Sequence, residues 1–129
     1  MKFDLSRFRT VELIKGNPTI SVTKNGITFS QAAIQKLAKP EFVEFLIDDE
    51  NKIVAVVRKE KEGTNCFHFY MQNKKVLSVR ISNKELKNQI REMMGWDFSN
   101  DEGYKVEGEY DKENQALFFD LKEAKLLNR

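Results

Sequence analysis

Cysteine, histidine and tryptophan each occur once in the 129 residues, and proline only twice. A lone Cys66 can form no internal disulfide, so packing alone must hold the fold, and a reducing cytoplasm suits it. No run of about 18 apolar residues is present, which excludes a membrane-spanning helix. The opening residues carry Asp4, Arg7 and Arg9 where a secretory leader needs an apolar stretch. Glycine-rich phosphate loops, nucleophile elbows and the zinc-protease helix motif are all missing, as is any linker or low-complexity tract. What remains is 40% hydrophobic and 33% charged, too apolar for disorder. One compact domain over residues 1–129 is expected.

Charge is unevenly distributed. The net charge is +2. Residues 52–91 hold ten cations against three acids, a local +7, whereas 92–129 hold five against ten, a local −5. The basic middle can meet phosphate, or it can lie beside the acidic tail within the fold.

Turn signals separate short β-branched and aromatic runs that read as strands. These are 19–23, 27–29, 42–47, 53–58, 66–71, 76–81, 104–110 and 116–121. Two segments have helical spacing instead. Residues 31–38 follow Ser30 as N-cap and precede Pro40, with Ala33, Ile34 and Leu37 on one face. The second helix is expected to start at Ser82, with Glu85 closing a capping box. Leu86, Ile90 and Met93 form its stripe, and Gly95 its C-terminal stop.

Each helix sits in the same surroundings: strand, turn, strand ending in serine, helix, strand, turn, strand. Ser30 and Ser82 are 52 positions apart, and Glu50-Asn51 and Glu113-Asn114 are 63 apart. The pattern reads as two ββαββ repeats, about 19–59 and 66–121, with an insertion near 94–104 in the second. Neither repeat can bury its sheet face alone, so one intertwined core is expected. Phe42, Phe45, Leu46, Ile53, Ala55 and Val57 are expected to face it from the first half. Leu117, Phe118, Phe119 and Leu121 are expected to do so from the second. The fold class is α+β: a β-rich pseudo-twofold barrel with one short helix per repeat.

Gly26-Ile27-Thr28-Phe29-Ser30, then Ala33-Ile34-Gln35-Lys36-Leu37, then Glu44 to Ile47 and Asp49 to Val57 make up a longer pattern. It resembles the AbrB-type swapped-hairpin family of bacterial transition-state regulators and antitoxins, covering residues 20–59 directly and 76–121 through the repeat. Ser30 stands where that family commonly has proline, and Lys24 and Lys36 where it commonly has arginines. The resemblance implies a swapped-hairpin barrel, with two units joined in one chain. It also implies DNA binding through Lys24 and Lys36 in one half and Lys74, Lys75, Arg80 and Lys84 in the other.

Other constellations are weaker. Cys66 and His68 share a strand face, yet no third group orients them as a nucleophile pair, and two ligands do not make a zinc site. The acids of 97–102 lack calcium-loop spacing. Phe67, Phe69 and Tyr70 beside Lys74, Lys75 and Arg80 offer base stacking next to phosphate contacts. Trp96 and Phe98 are expected to cover the barrel end. The expected function is a non-enzymatic binding module of bacterial or phage type, without cofactor, metal or membrane. Duplex DNA is the leading partner, and a protein-assembly role is the alternative.

Overall fold

The computed structural model of the chain describes residues 4–8, 16–71, 79–99 and 102–127. In chain order the first half contains β1 (Thr19–Thr23), β2 (Gly26–Phe29), α1 (Gln31–Lys36), β3 (Phe42–Asp48) and β4 (Ile53–Lys59). The second contains β5 (Cys66–His68), β6 (Val79–Ile81), α2 (Lys84–Met94), β7 (Tyr104–Asp111), β8 (Ala116–Asp120) and a short β9 (Lys125–Leu126). The strands hydrogen-bond in the order β5-β3-β4-β8-β7-β1-β2-β6, all antiparallel, with β9 added to β7. The result is a nearly closed barrel of eight antiparallel strands with two short helices.

Alternation decides which side chains fill it. In β1 and β2 the register pairs Ile20 with Phe29 and Val22 with Ile27, all buried, and turns Ser21 and Thr28 outward. Val79 and Ile81 of β6 and Val106 of β7 join the same interior. Phe29 meets Phe69 edge-on at 4.8 Å, and Phe45 meets Phe67 at 5.4 Å. Phe69 therefore belongs to the core with Phe67 packed against it, and these rings are not presented for base stacking. Trp96 stacks on Tyr104 at 4.0 Å with Phe98 beside it, and both insertion aromatics pack against the core.

The inward face of β4 is the reverse of the expected one. Val54 and Val56 are fully buried in the core, opposite Phe119 and Leu117 of β8. Ile53, Ala55 and Val57 share the opposite face with Leu46 and Phe118, which are 50% and 37% exposed; Ala55 is buried there, at 8% exposed, outside the main core cluster. Every residue from Ile53 to Val57 is apolar, so alternation within β4 carries no information. Only the partner strands choose the face.

The helix ends differ from expectation too. The N-cap of α2 is Asn83, not Ser82: its Oδ1 accepts from the Leu86 amide at 2.8 Å. Glu85 closes no capping box and instead accepts from Gln89 Nε2 at 3.3 Å. Gly95 does end α2, in the left-handed region at φ 68°. Ser30 caps α1 as expected, its Oγ accepting from the Ala33 amide. That helix stops at Lys36 because Ala38 and Lys39 adopt positive φ. Arg58 Nη1 then satisfies the freed carbonyls of Leu37 and Ala38 at 2.9 and 3.0 Å. β5 ends at His68, though the Phe69 and Tyr70 amides still donate to Glu41 and Pro40 carbonyls. The expected strand at 76–81 begins, among the described residues, at Val79.

Asp48 and Asp120 flank Ile53 from the two neighbouring strands. The Asn51 side chain and amide hold the Asp48 carboxyl below its ordinary value, and hydrogen bonding from Lys122 does the same for Asp120. Both carboxylates are bound better folded than unfolded, so their stabilisation is complete above the ordinary aspartate range. It is lost as pH falls through the lowered folded values, below pH about 4. In an NMR titration both should show midpoints below about 3.9. Asn51→Ala should return Asp48 toward that value and leave Asp120 where it is.

Candidate nucleic-acid interface

The outward face of β6-β2-β1-β7 is polar by alternation, and the ladder aligns its side chains in a transverse row. Arg80 pairs with Thr28, Thr28 with Ser21, Ser21 with Lys105, and Lys105 with Lys125 of β9. Residues directly opposite in antiparallel strands share a face, so cations lie at both ends and hydroxyls at the centre. Arg80 to Lys105 spans three strand spacings, or about 14 Å along the sheet. Arg80, Lys105 and Lys125 are exposed, and none joins an ion pair with a described residue.

The two ends differ in their surroundings. Beside Lys105 and Lys125 lie Glu107 and Glu123, which line a depression of about 320 Å³ with them. That end is charge-balanced. At the other end the β1–β2 turn is pressed onto the start of α2. A Cβ on Gly26 would stand 2.5 Å from the Ile81 carbonyl oxygen, and Lys87 Nζ donates to the Lys24 carbonyl at 2.8 Å. Lys87 thus adjoins the Lys24 turn, and Lys84 opens α2 four residues after Arg80, so four cations sit on elements that meet at this end, with Glu85 the acid between Lys84 and Lys87.

Of the six cations expected to bind DNA, Lys24, Arg80 and Lys84 lie on the turn, strand and helix start that meet at this end. Lys36 is half-buried at the last turn of α1, outside the row, and has an interaction of its own. Lys74 and Lys75 lie outside the described residues. Sequence reasoning did not select Lys87, Lys105 or Lys125. The outward parity of Lys105 within the strand Tyr104 to Tyr110 was the one local clue to the latter pair. Lys87 was placed only by the long-range contact between α2 and the first turn.

Cys66 and His68 do not form a dyad with an orienting group. The His68 ring is exposed and tilts over Phe42 at 4.7 Å, and Cys66 is a half-buried free thiol. Among the described residues no group of three or more His, Cys, Asp or Glu is placed to hold a metal ion. No helix there is long and apolar enough to cross a membrane. Comparison with family models, curated proteins and solved structures finds no match to this chain.

Proposed function

We propose that the chain is a non-enzymatic duplex-DNA-binding module of the swapped-hairpin kind, with two ββαββ units fused in one polypeptide. The observation that carries the reading is the transverse row, with Arg80 at the end where the elements carrying Lys24, Lys84 and Lys87 meet. Its span of about 14 Å is comparable with the roughly 12 Å width of a DNA major groove. Cations at that spacing set phosphates, and central hydroxyls at Thr28 and Ser21 offer adaptable hydrogen bonds.

The registers support the duplication. A shift of 52 carries Ile27, Thr28 and Phe29 onto Val79, Arg80 and Ile81, and the β2–β6 pairing maps onto itself about Thr28 and Arg80. A shift of 63 does the same for β4–β8 about Ala55 and Phe118. That shift also carries the β3–β4 register onto β7–β8. These are the offsets of the serine and Glu-Asn landmarks.

Four cations neutralising about four phosphates imply a log–log salt slope near −3.6, so affinity should fall about a hundredfold between 50 and 200 mM salt. Fluorescence anisotropy on a labelled duplex reads this directly. Arg80→Glu with Lys84→Glu should abolish binding while circular dichroism stays unchanged. Absence of duplex affinity at ~50 mM salt removes the proposal.

A second reading is favoured by the other side of the barrel, where Leu46, Ala55 and Phe118 form an outward apolar row across β3, β4 and β8. Such a row suits a protein-assembly component. A partner retained after nuclease treatment, together with no duplex binding, selects this reading over the first.

A further inference from the structure

The strand order ends at β5 on one side and β6 on the other. β1 has four registered partners in β2, whereas β5 among the described residues is paired only with β3. In the first half the approach to the helix is shut: the Ser30 amide donates to the Thr19 carbonyl, and the Thr19 amide to Ser30 Oγ, both at 3.0 Å. In the second half the Cys66 amide donates to the Gly63 carbonyl. A cavity of about 520 Å³ lies between β5, the end of β3 and the first turns of α2.

The volume is that of a small-molecule site, and its lining has the usual mixture of an apolar floor and a few convergent polar groups. Phe45, Ile47, Phe67 and Leu86 make the floor, with the two rings perpendicular to one another. The rest of the lining is amide, hydroxyl and the Cys66 thiol, with one exception. Glu85 is the single charged residue of the lining. Gln89 donates to its Oε1, which holds the carboxylate in place and leaves Oε2 without a hydrogen bond from a described residue.

We infer that this cavity binds a small organic cation with an apolar body, its ammonium or guanidinium group on Glu85 and its body on Phe45 and Phe67. A charge-assisted hydrogen bond to Oε2 fixes one end of such a ligand, and ring faces attract the same positive charge. An anion meets the Glu85 carboxylate with no compensating cation in the lining, and a purely apolar ligand gains nothing from it. The inference stands apart from the DNA reading, because neither the cavity nor its floor belongs to the basic row.

Phenethylamine is the probe, with phenethyl alcohol and phenylpropionate as near-isosteric neutral and anionic controls. Each is titrated into the full, isotopically labelled chain without DNA. The amine should give saturable amide shifts centred on Phe67, Glu85 and Gln89, with a Kd on the order of 1 mM for so small a ligand. The alcohol should bind at least about tenfold more weakly, and the phenylpropionate not at all. Glu85→Gln should erase the preference for the amine. Gln89→Trp, at an exposed helix position that tolerates a large side chain, should fill the mouth and block binding with the fold intact. Equal or tighter binding of phenylpropionate, an undiminished amine preference in Glu85→Gln, or non-saturating shifts would each overturn the assignment.

Discussion

Gly26→Val is expected to lower stability by about 4 kcal/mol, a large share of the 5–15 kcal/mol that a domain possesses. Gly26 sits at φ 133°, a conformation that side chains rarely adopt. Its added Cβ would stand 2.5 Å from the Ile81 carbonyl oxygen and 3.1 Å from the Ser82 Cα. Both obstacles are backbone, so no rotamer change relieves them. Either β2 leaves β6 or the Lys24–Gly26 turn lifts off the start of α2. Gly95 supplies the control, since it too has positive φ but nothing within 4 Å of its Cβ position. Gly95→Ala should cost only about 1 kcal/mol, the conformational part alone. Urea denaturation of both variants separates strain from collision. Equal losses would show that the close approach at Ile81 contributes nothing.

The same turn shows why the site was half legible in the sequence. Asn25-Gly26 marks a hairpin, and its flanking runs predict β1 and β2 with almost their observed bounds. Turn chemistry is local, and so are the Ser30 cap and the Gly95 stop, which the sequence also supplies. The neighbour of Gly26 is not local: Ile81 is 55 positions away, and only the β2–β6 ladder brings it close. Lys24, Arg80 and Lys84 could be named as cations of interest from chain position. That the elements carrying them meet, and that Lys105 completes a row across Thr28 and Ser21, depends on the β2–β6 and β1–β7 ladders, which have no short-range signal.

Strand faces failed for a related reason. A strand with polar residues on one side announces its orientation, as β1 does with Thr19, Ser21 and Thr23. β4 offers only apolar side chains from Ile53 to Val57, and Leu117, Phe118 and Phe119 of β8 are equally silent. Burial of Val54 and Val56 is fixed by size matching with their neighbours across the ladder. Volume complementarity between distant strands leaves no periodic trace.

That complementarity carries the last expectation. Phe45 of β3 pairs with Val56 of β4, and under the proposed duplication the corresponding pair is Gly108 of β7 with Phe119 of β8. On that reading the large ring has changed strands. Gly108 is small because the Phe119 ring lies over it: an added Cβ would meet ring atoms at 2.5 and 2.6 Å. Phe119 is fully buried, so Phe119→Val should cost about 2–3 kcal/mol through lost contacts and the cavity left behind. Gly108→Ala alone should cost about 1–3 kcal/mol, because the ring must leave its place in a packed core. The two changes together remove the collision with the ring and part-fill the cavity, leaving only the 2.9 Å approach to the Phe118 carbonyl oxygen, so the double variant should be more stable than the sum of the two losses predicts by at least about 1 kcal/mol. Chemical denaturation of the four proteins of the cycle measures that coupling. Strict additivity would mean that the glycine is not there to admit the ring, and that the exchange of large and small between the halves is accidental.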